Sequence, residues 1–152
     1  MKSISKKARS RRSRGSALVE LALSVGLLVP ALTGTFQFGY AFYTYNRLVV
    51  AVRGGARYAS LRTYDSSTST PSDNYLAAVR NAVVYGNPTG GTDPVVPGLS
   101  TNQVAVSVTM SNNVPDTIVV SLTTFTVNTV VKNMTWTGKP AAAFRFEGRY
   151  AP

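Results

Sequence analysis

The chain has no cysteine and no histidine, and acids are scarce: six Asp and Glu against sixteen Lys and Arg in 152 residues. Without those two residue types it cannot build the common zinc sites, a cysteine nucleophile or a Ser-His-Asp triad. It needs no disulfide either, which leaves the redox compartment open. Charge of any sign is thin, at 14% of residues, where about 25% is usual for a soluble domain. Yet the formal net charge is +10, so the basic residues must be concentrated somewhere. The length suits one modest domain rather than two.

Seven basic residues fall in the first fourteen positions, namely Lys2, Lys6, Lys7, Arg9, Arg11, Arg12 and Arg14, with no acid among them. From Gly15 onward nine basic residues meet six acids, so the remainder carries only +3. Glu20 follows the basic tract, and Leu21 to Asn46 then runs for 26 residues without an Asp, Glu, Lys or Arg. As a helix this run is about 39 Å long, enough to cross a bilayer core of roughly 30 Å. Phe36, Phe38, Tyr40, Phe42, Tyr43 and Tyr45 crowd its far end, where an aromatic belt meets the headgroups. Basic residues before an apolar span stay on the cytoplasmic side, so the amino end is expected inside and everything after Asn46 outside. A Lys/Arg-rich arm also suits nucleic acid. With an apolar span directly behind it, the tract reads as a topology signal, and no nucleic-acid partner is expected.

A secretory signal places its small-residue cleavage site after the apolar core. Here Gly15, Ser16 and Ala17 come before it, and Glu20 follows five residues after Gly15. A basic leader, a glycine, a small residue, a glutamate at the fifth position and then an apolar helix together resemble a type IV prepilin signal. The resemblance implies cleavage between Gly15 and Ser16 by a membrane prepilin peptidase, which would leave a mature chain of 137 residues. It also implies that Glu20 pairs with the mature amino terminus of a neighbouring subunit. A carboxylate inside an apolar span costs on the order of 2.5–3.5 kcal/mol near the helix centre, so a partner is needed. The simpler alternative is that Glu20 favours the positive end of the helix dipole.

Beyond the span, Leu48, Val49, Val52, Ala56 and Ala59 recur at helical spacing, with Arg53 and Arg57 on another stripe. The helix is expected to continue as an amphipathic stalk to residue 62. Gly54 and Gly55 weaken it by roughly 1 kcal/mol each relative to alanine, so a bend or a close contact is expected there. Pro30 is a candidate kink. The Gly15–Glu20 motif, the apolar helix with Pro30 and the segment Arg53-Gly54-Gly55-Ala56-Arg57 followed by Ala59-Ser60 together resemble the TadE-like family. Its members are minor pilin-like subunits, or pseudopilins, of the Tad pilus system. Ala143-Phe144-Arg145-Phe146-Glu147 is similar to that family's short closing strand. Leu21 departs from the aromatic often found after the glutamate. The resemblance implies as partners a prepilin peptidase, other pilin and pseudopilin subunits, an inner-membrane assembly platform and the lipid bilayer. It places the chain in the bacterial inner membrane and then in the periplasm or a cell-surface pilus.

The organisation expected is a leader over 1–15, a transmembrane and stalk helix over 16–62 and an α+β head over 63–152. Ser72 or Asp73 caps a short helix through Tyr85, which Gly86 stops, and a Gly/Pro loop runs to Gly98. Val104, Val106, Val108 and Met110 alternate as a strand, and Pro115-Asp116 marks a turn. Ile118, Val120 and Leu122 form a second strand. A phase slip at Thr123-Thr124 predicts a break before Phe125, Val127 and Val131. Phe144 and Phe146 alternate in a last strand, for a sheet of three or four antiparallel strands. The acids Asp65, Asp73, Asp93, Asp116 and Glu147 are scattered, and Asp93 sits in no recognisable calcium loop. No catalytic residue, metal site or cofactor is expected, and the head reads as an interaction module. An untrimmed, membrane-anchored periplasmic scaffold or binding protein is the competing reading, and a membrane-tethered hydrolase a third.

Overall fold

A computed structural model describes the backbone of residues 9–129 and 132–152, with side chains from Gly15 onward. The leader side chains before Gly15, including Lys2, Lys6 and Lys7, and the strand position Val131 lie outside the described residues. The fold is α+β, as the sequence predicts. A 53-residue helix, α1 (Arg9–Leu61), is followed by a second helix, α2 (Asp73–Tyr85), and five strands. The chain divides into two compact units, one reaching Gly39 and the other spanning Tyr40–Pro152.

In the first unit α1 presents leucine, valine and phenylalanine in every direction, and none of its most apolar window is buried. A helix apolar all round needs an apolar solvent or a partner. Gly15–Leu61 is long and apolar enough to cross a membrane. Pro30 lies inside it and brings no N–H to the ladder. On either side Thr33 Oγ1 donates to the Val29 carbonyl at 2.8 Å and Thr35 Oγ1 to that of Ala31 at 2.9 Å. Such back-bonds add polar satisfaction inside the helix, where lipid offers none.

In the second unit α1 becomes one-sided. Ala41, Thr44, Leu48, Val52, Ala56 and Ala59 are buried at intervals of three and four, and Leu48 onward joins a single hydrophobic core. α2 opposes it with Tyr75, Val79, Val83 and Val84. Both ends of α2 follow local chemistry. Ser72 Oγ accepts from the Tyr75 amide at 3.1 Å while donating to the Asp65 carboxylate at 2.6 Å. Gly86 adopts the left-handed conformation that ends the helix. The Gly/Pro loop that follows is tied down by the Val95 amide on the Val84 carbonyl and by buried Val96 and Leu99.

Strands β1 (Val104–Ser111) and β2 (Val114–Leu122) pair antiparallel, β3 (Thr124–Val127) pairs with β4 (Met134–Thr137), and β5 (Ala141–Arg145) pairs with β2. The sheets are therefore three-stranded, in the order β1-β2-β5, and two-stranded. The predicted break is present: Thr123 separates β2 from β3, and the two strands enter different sheets.

The predicted turn at Pro115-Asp116 is not where the chain reverses. Asn112 and Asn113, at φ 51° and 61°, make a two-residue hairpin turn. Asparagine tolerates that conformation better than most residues because its short side chain bonds locally. Pro115 instead sits within β2, beside the register shift at Thr109/Met110 and outside the stretch that pairs with β5. No ladder bond is asked of its missing N–H on that side. Phe144 also differs from a fully inward residue: it keeps register with buried Ile118 but remains 37% exposed because β5 is an edge.

Candidate functional site

The cleavage, pairing, kink and stalk-motif residues proposed from the sequence all lie on α1. Gly15, Ser16 and Glu20 are exposed residues of its first unit, and Pro30 follows about three turns after Glu20. The segment Arg53–Arg57 lies in the second unit, and the structure splits it by face. Arg53, Gly54 and Arg57 are exposed, whereas Gly55 and Ala56 are buried. The two groups thus occupy different units of one helix.

The adjacent glycines have different surroundings. A Cβ on Gly55 would run into Val83 Cγ2 and lie 3.3 Å from Val83 Cβ, so the close approach of α1 and α2 at this point requires that carbon to be missing. At Gly54 nothing lies within 4 Å of where the Cβ would be. A glycine in an exposed helix interior costs ~1 kcal/mol relative to alanine. At Gly55 the close contact accounts for that cost, and at Gly54 nothing among the described residues does.

Gly54 lies on a groove of about 510 Å³. α1 contributes Asn46, Arg47, Val50, Ala51 and Tyr58 to its walls, and α2 and the following loop contribute Val83, Pro88 and Val95, among others. Apart from Asn46, Arg47 and Tyr58 the lining is aliphatic or glycine, and among the described residues Arg47 is the one charged group on it, with its guanidinium 5.8 Å from the Tyr43 ring centre. That contact holds the cation against an aromatic face rather than a carboxylate.

The carboxyl end of α1 is closed by distant parts of the chain. Tyr75 Oη donates to the Ala59 carbonyl at 2.6 Å, and the Glu147 amide donates to that of Ser60 at 2.9 Å. Final-turn carbonyls have no partner within a helix, so these bonds stand in for a glycine cap. Just beyond, Tyr64 is fully buried and bridges to Tyr150 in parallel, with its amide on the Arg149 carbonyl and its own carbonyl accepting from Ala151. Its ring meets Tyr75 edge-on at 5.2 Å and Phe146 at 6.3 Å. Gly148 lets this strap pass, since a Cβ there would lie 2.5 Å from the Arg62 carbonyl oxygen. Burial pushes the Tyr64 and Tyr75 hydroxyls above the ordinary tyrosine range. Arg62 bonds the Tyr58 hydroxyl at 2.7 Å and lies over the Tyr58 and Tyr75 rings.

None of this cluster stands out in the sequence. The available signal is the frequency of tyrosine, eight residues, but nothing local says that residues 64, 75 and 150 meet. The pairing of Tyr45 with Trp136, 5.3 Å between ring centres, is equally hidden. Among the described residues no group of three or more His, Cys, Asp or Glu is placed to hold a metal ion.

The arrangement defines a class of protein: an apolar helix of membrane length whose carboxyl-terminal part joins the core of a small α+β unit. The family model described as TadE-like protein matches residues 15–57, from the glycine before Ser16 to Arg57. The resemblance read from the sequence therefore holds over this stretch, which carries both motifs. No curated protein and no solved structure matches the chain.

Proposed function

We propose that this chain is a minor pilin-like subunit of a Tad-type pilus, trimmed after Gly15 and assembled through α1. Its α+β unit supports pilus biogenesis and surface adhesion by contacting other subunits or a surface. The observation that carries the reading is the helix from Gly15 to Gly39, apolar on every side and uncovered, directly behind the basic leader and inside the family match. In a bilayer lipid covers that surface. In a filament, helices of neighbouring subunits cover it instead. The leader keeps the amino end cytoplasmic, and the unit from Tyr40 onward is carried to the outer side.

Trimming does more than shorten the chain. It removes seven positive charges and creates an amine on Ser16 with a pKa near 8, largely cationic at neutral pH. Glu20 is then one turn from its own amine and, once packed away from water, also draws on cations of neighbouring subunits, the mature amino terminus of one of them first. The decisive measurement is the intact mass of the chain from cells. A mature chain starting at Ser16 is expected, and retention of Met1 would replace this reading with that of an untrimmed anchored scaffold. Glu20→Ala should insert into the membrane normally but lower the amount of chain in sheared filaments several-fold. Unchanged filament content would refute the pairing role.

A further inference from the structure

We propose that the groove beside Gly54 seats the amino-terminal part of α1 from a second copy of this chain, with the neighbour's Glu20 at Arg47. The proposal rests on the pilus-subunit reading and adds to it a docking site and a register.

The groove runs along α1 from Asn46 to Tyr58, about 18 Å at 1.5 Å per residue, and its aliphatic surface is open to solvent. Val50 on its rim is 71% exposed. Val50, Gly54 and Tyr58 form an i, i+4, i+8 row, the kind of ridge and gap into which another helix packs. Gly55 owes its missing Cβ to Val83, whereas among the described residues nothing lies within 4 Å of where a Gly54 Cβ would be. A glycine at the low point of such a row lets a second backbone come close.

The occupant has to be helical, apolar and free of charge over at least the length of the groove. The chain itself contains such a segment in Leu21–Asn46, and the first twelve residues of it, Leu21–Leu32, are exposed throughout. Charge sets the alignment. Arg47 is the first charged residue after that uncharged run, and among the described residues no carboxylate lies within ion-pair distance of it. Glu20 is the only acid among the first 64 residues and stands immediately before the run. With Glu20 beside Arg47 in parallel helices, Leu21–Leu32 lies along residues 48–59, and no charge is carried into the groove. Leu21–Leu32 opens the uncharged run whereas residues 48–59 follow it, so in a bilayer the first segment is within the span and the second beyond it. The contact therefore belongs to the assembled state and not to two copies side by side in a membrane.

The absence of native cysteine makes the register directly testable. At this alignment Leu23 of one copy is level with Val50 of the next, whereas Leu61 is about 16 Å further along. The full-length variant Leu23→Cys/Val50→Cys, treated in cells with a short bis-maleimide, should give a ladder of linked multimers in the sheared filament fraction and none in the membrane fraction. Leu23→Cys/Leu61→Cys should give none in either. Filaments that contain the Leu23/Val50 variant without a ladder, or with no more of one than the Leu23/Leu61 variant, overturn the groove while leaving the pilus reading intact. A chain found in no filament overturns both. Independently, Gly54→Ala and Gly54→Leu should keep a Trp136 unfolding midpoint at or above that of wild type and lose incorporation stepwise, most for leucine. A folded Gly54→Leu incorporated at the wild-type level would also overturn the proposal.

Discussion

Replacing each of the adjacent glycines by alanine separates helix propensity from packing within one turn of α1. Both substitutions gain the same propensity, ~1 kcal/mol. At Gly54 the new methyl enters open space, so the folded unit should gain up to about 1 kcal/mol. At Gly55 it must displace Val83, which is fully buried on α2. Overpacking of this kind costs about 1–3 kcal/mol, leaving Gly55→Ala between neutral and ~2 kcal/mol less stable than wild type. The variants should therefore differ by about 1–3 kcal/mol, or roughly 5–15 °C in Tm for a unit of about 110 residues. The single tryptophan, Trp136, packs on Tyr45 of α1 and reports unfolding of this unit by fluorescence in detergent. Val83→Ala in the Gly55→Ala background should recover part of the loss, although on its own it removes buried methyl groups. A Gly55→Ala protein as stable as Gly54→Ala, or one that Val83→Ala fails to relieve, would refute the reasoning.

The aromatic closure at the end of α1 makes two further predictions. Tyr75→Phe removes the donor to the Ala59 carbonyl and should cost about 1–2 kcal/mol in the same unfolding assay. Tyr75 and Tyr64 also set a pH dependence, because burial raises both hydroxyls above the ordinary value near 10. Their neutral forms hold more protons than the unfolded chain above that pH. Stability is therefore fully present below pH ~10 and falls as pH rises from there toward the folded-state values. Tyr75→Phe should make that alkaline decline shallower, and an unchanged slope would contradict the assignment. Gly148→Ala places a carbon 2.5 Å from the Arg62 carbonyl oxygen and should lift the carboxyl-terminal strap. Hydrogen exchange should speed up at the Tyr64 and Ala151 amides, which bond across that strap, and unchanged protection would rule this out.

Elements whose cause is local are legible in the amino-acid sequence. Ser72 and Gly86 bracket α2 because a cap needs one hydroxyl and one left-handed residue at a fixed offset. The break at Thr123 shows as a slip in a two-residue period. The first hairpin turn is harder to place because Pro115 is a strong local signal, while its tolerance inside β2 depends on where β5 stops pairing. Strand β4 escapes sequence reading for a related reason. Met134 and Trp136 are only half-buried beside exposed Thr135 and Thr137, and four residues carry too little pattern.

The sequence by itself determined the position and length of the uncharged helix, the basic leader before it, the lone acid at its entrance and the boundaries of α2. Each is a property of contiguous residues, set by charge, by hydrophobic period or by a cap, and needs no knowledge of what lies opposite. The tertiary structure alone decided that Gly55 is required within the chain while Gly54 is left open to the outside. It also decided that α1 is ended by Tyr75 and the carboxyl-terminal strap. Those outcomes depend on single atoms brought together across long stretches of chain, from Ala59 to Tyr75 and from Arg62 to Gly148. A missing Cβ has the same local signature whether a valine or solvent fills the space beside it.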